Sequence, residues 1–252
     1  MLLKSVYHWL LPRVCILCKN LSQQSLDICK PCAAELPTLK HCCQTCGLPG
    51  WETIRCGQCL QMNPPFDITH TLFSYEAPIP KLILDLKFQQ ALTHARLMGE
   101  MLAAKIQNEW YQKTELPGAI IPMPLHKERL RERGFNQAIE IAKPIAKQLN
   151  LPLLTHAAVR VKSTAAQATL SGDERRKNIR HAFIIKKEFK NIHIAVVDDV
   201  ITTGSTIHEF CRMLKKHGAH KISVWCCARR SLSSSRHPEP AHRYKQPSNQ
   251  SA

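Results

Sequence analysis

Apolar positions are spread unevenly along the chain. Before about residue 62 they are sparse and broken up by cysteines, whereas beyond Thr69 they gather into short runs and periodic faces. Thr69 to Tyr75 (THTLFSY), Gly118 to Ile121 and Lys221 to Cys227 (KISVWCC) each read as a strand. Pro80 to Phe88 reads as a short helix. Ala91 to Trp110 reads as a longer amphipathic helix with Leu92, Ala95, Met98, Met101, Leu102 and Ile106 facing inward. A third helix is expected to begin at Gly134 and Phe135 and to run to about Leu149. Further on, Ile194-Ala195-Val196-Val197 forms the uninterrupted apolar run that a buried parallel strand needs. Ile207, Phe210, Cys211 and Leu214 then recur at helical spacing, and Gly218 is placed to end that helix. Strand, helix and strand in this order make a βαβ unit. The class expected is therefore α/β, a parallel sheet flanked by helices.

The loop inside that unit carries the most specific chemistry. Asp198 and Asp199 stand where the strand should end, and Thr202, Thr203, Gly204, Ser205 and Thr206 follow. Ligands of open α/β sheets sit at this end of the strands. Hydroxyls and backbone N–H groups converging just ahead of a helix N-terminus favour a phosphate, and Gly204, having no Cβ, lets the backbone come close. Two carboxylates would repel that phosphate. They suit the hydroxyls of a sugar that carries it, or a Mg²⁺ beside it.

The cysteines change the picture for the N-terminal part. Of 12 in the chain, eight form four Cys-x-x-Cys pairs: Cys15/Cys18, Cys29/Cys32, Cys43/Cys46 and Cys56/Cys59. Each such turn brings two sulfurs to one metal, and two turns complete a tetrahedral thiolate site, so the pattern implies two structural Cys₄ Zn²⁺ sites. Disulfides and redox catalysis are the alternatives. The first is disfavoured for a chain whose opening residues show no cleavage signal, the second because redox chemistry does not need four copies. Consecutive pairing of the turns is the simplest arrangement, with interleaving left open. Cys42 would give a longer spacer to Cys46, so Cys43 is preferred. Such closed sites fold a chain or dock a partner, and with so little apolar sequence around them the metal should be required for folding.

Charge points to anionic partners. Lys and Arg total 35 against 19 Asp and Glu, a net +16, which suits a nucleic acid or several phosphates on one ligand. No run is long and apolar enough to span a bilayer. Met1 to Val14 is expected to form a short amphipathic helix against the cysteine module. Gln61 to Pro65 reads as a polar joint. The division expected is 1–62 for the cysteine module, 63–230 for the α/β domain, and 231–252 for a disordered polar tail.

The stretch Val196 to Thr206 resembles the 5-phosphoribosyl-1-pyrophosphate (PRPP) motif of type I phosphoribosyltransferases. That resemblance implies that Asp198 and Asp199 hold the ribose 2′- and 3′-hydroxyls and that Thr202 to Thr206 bind the 5′-phosphate. It also implies that the loop at His126, Lys127, Arg131 and Arg133 meets the pyrophosphate. Read without the resemblance, that loop is a solvated basic turn. The polar stretch from Arg160 to Phe183, with Gln167 and Arg175 inside it, has the length and polarity of a lid.

A narrower group matches most of the chain. A cysteine-rich start, Pro122-Met123-Pro124-Leu125-His126, Arg131-Glu132-Arg133-Gly134-Phe135-Asn136-Gln137, then Arg160, Thr164, Gln167, Leu170, Glu174-Arg175, Asn178 and Phe183, and finally the PRPP motif occur in the order shown by the ComF (competence protein F) family. The resemblance implies a cytoplasmic protein of natural transformation that helps single-stranded DNA enter the bacterial cytoplasm. Its partners would be a helicase-like ATPase and, indirectly, a membrane DNA channel. It implies Mg²⁺ together with PRPP. It leaves open whether the site turns over a substrate, with nucleobase salvage as the alternative function, or only binds phosphates.

Overall fold

The structure, a computed structural model, describes residues 13–51, 54–163 and 178–231. In chain order the helices are α1 (Lys30–Ala34), α2 (Gly57–Met62), α3 (Ile79–Gln89), α4 (Leu92–Lys105), α5 (Lys127–Arg133), α6 (Gln137–Leu149) and α7 (Ser205–Lys216). The strands are β1 (Ile68–Ser74), β2 (Ala119–Pro122), β3 (Ala158–Arg160), β4 (Phe183–Ile185), β5 (His193–Ile201) and β6 (Lys221–Arg229). Four of them form an all-parallel sheet in the order β1-β6-β5-β2, and β3 and β4 form a separate antiparallel pair.

The apolar run in β5 is continuous because both faces of the sheet are covered. Ala195 and Val197 join Trp225 and Cys227 against α3, α4 and α6, where Leu86, Met98, Leu102, Ile141 and Ile145 pack. Ile194 and Val196 join Ile222 and Val224 on the other face, against Ile207, Phe210 and Leu214 of α7 and Phe183 of β4. Helices α4 and α6 approach very closely: a Cβ added at Gly99 would overlap the carbonyl of Ile141 and the ring of Pro144.

The α/β class and its parallel sheet stand as expected, with four differences in detail. Leu92, expected inside, is 47% exposed, because it is the first residue of α4 and no element among the described residues covers it. The helix expected over 91–110 ends at Lys105 and continues as one wider π turn, Ile106–Trp110. The basic stretch is not a loop. Lys127–Arg133 is helical, Gly134 (φ +82°) ends it in the left-handed region, and Asn136 starts the next helix two residues later than expected. The β3–β4 pair has only three residues a side, too few for any period to show in the sequence.

The cysteine-rich segment is built into this fold. Ser74 donates to Pro37 (2.9 Å), Leu39 to Leu72 (3.1 Å) and Thr69 to Gln44 (2.9 Å), so residues 37–44 run along the outer edge of β1 and cover it. Ile28, Leu36, Cys15, Cys29 and Cys32 share one apolar core with α3 and α4. Asp27, nearly buried, is paired with Arg96 of α4 and with Arg13 at 3.4 Å. The amphipathic helix expected over Met1 to Val14 and the tail from Ser231 lie almost wholly outside the described residues.

Candidate functional site

Asp198 and Asp199 are buried (8% and 3% exposed) near the C-terminal end of β5, which runs two residues beyond them to Ile201. Burial of two adjacent carboxylates demands compensation. Asp199 receives it from Lys87 on α3, which forms an ion pair with Oδ2, and from Gln137 on α6, whose Nε2 donates to Oδ1 at 3.2 Å. The Asp199 N–H in turn donates to Asp198 Oδ1 at 2.9 Å. The two acids therefore diverge. Burial, reinforced by the charge of Asp199, pushes the Asp198 carboxyl well above the usual range. Burial works against Asp199 too, but the Lys87 ammonium and the Gln137 amide outweigh it and hold that carboxylate below its ordinary value.

The hydroxyl loop follows directly. Gly204 takes φ +80°, open to glycine at little cost, and serves as the residue that starts α7. Thr203 Oγ1 lies 3.1 Å from Ser205 Oγ and accepts from the Ser205 N–H at 3.4 Å. A cleft of about 160 Å³ opens here, lined by Asp198, Asp199, Thr202, Thr203, Gly204 and Thr206; Ser205 does not line it. Its other wall is Met123-Pro124-Leu125, Gln137 and Arg160. Two stretches far apart in sequence thus face each other across the ends of β2 and β5.

The remaining expected residues are placed less uniformly. Arg160 reaches the cleft from β3, half-buried, with its guanidinium 5.8 Å from the Phe183 ring centre. His126 is buried and starts α5, its Nδ1 accepting the Glu128 N–H at 3.4 Å, and its backbone bridges that of Arg160. Lys127 and Arg131 point to solvent and do not line the cleft. Arg133 bonds the side-chain oxygen of Gln137 and lies over the ring of Phe88, so it adjoins the carboxylate pair through Gln137. Gln167 and Arg175 lie outside the described residues.

Three residues that hold the site are not marked out by the sequence. In the sequence Lys87 is one residue near the end of the helix expected over Pro80 to Phe88, and Asn136 and Gln137 are part of the Arg131 to Gln137 stretch. Asn136 accepts the Ala138 N–H at 2.9 Å through Oδ1 and donates through Nδ2 to the Met123 carbonyl at 3.0 Å. It therefore caps α6 and ties the proline turn to it. The signal the sequence does carry is a polar pair at a helix start, Asn136-Gln137, separated by Phe135 from the glycine that ends the preceding helix.

The eight cysteines form two clusters, Cys15/Cys18/Cys29/Cys32 and Cys43/Cys46/Cys56/Cys59, with all sulfurs of each within 4.8 Å of one another. Consecutive turns are therefore paired, and Cys42 is left out. Sulfur separations of 3.7 Å (Cys18–Cys29, Cys46–Cys56) and 3.8 Å (Cys43–Cys59) match the roughly 3.8 Å edge of a tetrahedron with Zn–S bonds of about 2.3 Å. Burial raises the Cys15 thiol, but N–H groups from Cys18, Cys29 and Leu17 outweigh it and bring it to about 6. Cys43 comes down to about 7 for the same kind of reason. Burial and neighbouring sulfurs drive Cys32 and Cys59 upward. Four thiolates in one such space need a cation, and the donor set fits zinc.

Residues 6–60 match the family model described as double zinc ribbon domain, and residues 136–251 that described as phosphoribosyl transferase domain. The chain is 34% identical over 223 residues to the DNA utilization protein YhgH of Escherichia coli O157:H7, covering 86% of this chain and 97% of that one. It is 34% identical over 220 residues to Competence protein F of Haemophilus influenzae, covering 85% and 96%. It is 23% identical over 238 residues to Competence protein ComFC of Bacillus subtilis, covering 81% and 90%. With both modules present in the same order and a third of positions shared over almost the full length of two relatives, this chain belongs to the competence protein F family.

Proposed function

We propose that this is a ComF-like protein of natural transformation whose cleft binds PRPP, acting where single-stranded DNA enters the bacterial cytoplasm. The observation that carries the PRPP reading is the joint placement of the acid pair and the hydroxyl loop around one cleft, at a helix N-terminus. Asp198 and Asp199 accept hydrogen bonds from the ribose hydroxyls, and the divergence of their proton affinities fits this. Asp199 stays charged as an acceptor, while a protonated Asp198 adds no second buried charge. Thr202, Thr203, Gly204, Ser205 and Thr206 surround the 5′-phosphate with hydroxyls and N–H groups. Arg160 and Arg133 supply positive charge on the side where the pyrophosphate leaves, with His126, Lys127 and Arg131 marking the rim. Gln167 and Arg175 belong to the segment that would cover the ligand.

Among the described residues the cleft offers Mg²⁺ no separate cage. The Asp199 carboxylate is already balanced by Lys87 and Gln137, so the ion fits only as a companion of the ligand's pyrophosphate, where it would neutralise charge. Any phosphoribosyl transfer would consist of an acceptor attacking ribose C1 as pyrophosphate departs. The residues named above would contribute by holding the ribose and receiving the released charge. The role in DNA handling needs no turnover. It rests on the family, on the net charge of +16 and on zinc ribbons able to dock a helicase-like ATPase, with the membrane channel reached through it.

Calorimetry with PRPP and Mg²⁺, on wild type and on the Asp198→Asn/Asp199→Asn double variant, tests the site. Binding in the wild type that is lost in the variant is expected. Equal affinity in both refutes the assignment. Single-stranded DNA affinity should fall steeply with salt as counterions are released at each phosphate contact, and a flat salt profile counts against the DNA role.

A further inference from the structure

Arg229 ends β6 and is 3% exposed, and its guanidinium donates to four backbone carbonyls. Its Nε donates to the carbonyl of Cys46 at 3.0 Å. Its Nη1 donates to Ile201 at 3.1 Å, to Arg230 at 3.0 Å, and to Thr202. Cys46 belongs to the second cysteine cluster, and Thr202 is the first residue of the hydroxyl loop. One planar, rigid side chain therefore joins the backbone of a metal ligand to the backbone of the loop, 156 positions further on. The strand pairing reinforces this: Arg229 lies opposite Ile201 in the β5–β6 register, and the Arg230 N–H donates to the Ile201 carbonyl at 3.0 Å. Hydrogen bonds from a guanidinium are charge-assisted and sharply oriented. If the backbone at Cys46 shifts, the fork must shift or break its bonds on one side.

We propose that Arg229 is a positioning residue that makes the geometry of the phosphate loop depend on metal in the second cysteine cluster, and not on metal in the first. With Cys43, Cys46, Cys56 and Cys59 gathered on the ion, the Cys46 carbonyl is fixed. The guanidinium is then fixed, and it orients the Ile201 and Thr202 carbonyls from which the loop starts. Loss of that ion frees Cys46 and with it one end of the fork. Linkage makes the effect reciprocal: a ligand that orders the loop must tighten metal binding at the second cluster by the same factor. The coupling rests on the proposed PRPP reading only for the identity of that ligand.

Hydrogen exchange at the His208 amide, which donates to the Gly204 carbonyl of the loop at 2.9 Å, and at the Arg230 amide, which donates to the Ile201 carbonyl at 3.0 Å, tests the coupling without PRPP. In zinc-loaded wild type these amides should be protected. Cys59→Ser, which empties the second cluster, should speed their exchange about tenfold, as loss of one charged hydrogen bond would. Cys32→Ser, which empties the first, should leave them unchanged. Arg229→Met should exchange quickly with zinc still in place and should no longer respond to a chelator, whereas simple packing of the ribbon on the sheet would leave that response intact. Should any variant fail to fold, stepwise chelation of the wild type gives the same readout, because the second zinc and the loop protection should leave together. Equal loop exchange with the second cluster filled and empty overturns the proposal, and so does an Arg229→Met loop that still follows the metal. In a final arm, PRPP should slow zinc release from the second cluster only. If PRPP fails to bind while loop exchange still tracks the metal, the PRPP reading falls and the coupling stands.

Discussion

Lys87→Met is the substitution that most directly tests how a pair of buried acids is held in the cleft. The Asp199 side chain is 5% exposed and that of Lys87 23%, so the ion pair is largely but not wholly out of water. Removing one partner of a buried pair costs about 3–5 kcal/mol, and the exposure of Lys87 favours the lower end, about 3 kcal/mol. For a chain of this size each kcal/mol lowers Tm by roughly 2–4 °C, giving a fall of about 6–12 °C at neutral pH. The pH dependence fixes the mechanism. In wild type the depressed Asp199 contributes stability that is present above its unfolded pKa and is lost as pH falls through its folded one. Without Lys87, burial is opposed only by the hydrogen bonds from Gln137 and Asp198 and raises Asp199, so the variant's deficit should be largest at pH 8 and shrink towards pH 5. Thermal unfolding across that range measures this, and the double variant Lys87→Met/Asp199→Asn, which carries no orphaned charge, should regain most of the loss. A deficit that does not change with pH, or a double variant no more stable than the single, would refute the reasoning.

Other outcomes follow from the same geometry. Asp198→Asn should raise Tm at pH 8, because the wild-type carboxyl prefers its proton in the folded state and stability falls as pH rises through that range; the gain should vanish near pH 4, while PRPP affinity, measured by calorimetry, should drop. Gly99→Ala should cost about 3 kcal/mol in denaturant unfolding, since the added methyl meets Ile141 backbone and the Pro144 ring between two packed helices. Purified protein should carry two zinc ions by elemental analysis. Cys15→Ser should loosen the facing turns of α3 and α4 together with the ribbon, because Cys15 shares a core with them, while exchange at the phosphate loop stays as in wild type; hydrogen exchange confined to residues 13–51 would contradict this.

How the site is made explains why only part of it could be read in advance. The acid pair, the hydroxyl loop and the glycine sit within nine consecutive residues, 198–206. Their chemistry depends on local order, so the sequence displayed them. The Cys-x-x-Cys turns are equally local. Lys87 and Gln137 lie 112 and 62 positions before Asp199, on helices whose polar residues look alike in sequence. Only the closure of α3 and α6 over the sheet singles them out.

The sequence by itself determined the α/β class, the strand–loop–helix at 194–218 and the four metal-type turns, because each depends on spacing within a few residues. Tertiary structure decided which turns share a cluster, since that depends on how two loops fold back on each other. It also made the basic stretch at 127–133 a helix that turns Lys127 and Arg131 outward. It set the opposite proton affinities of Asp198 and Asp199, which differ only in what packs against them. And it joined the second cysteine cluster to the loop through Arg229, because parallel pairing of β5 and β6 brings Ile201 beside Arg229 and the edge of β1 carries Cys46 into reach.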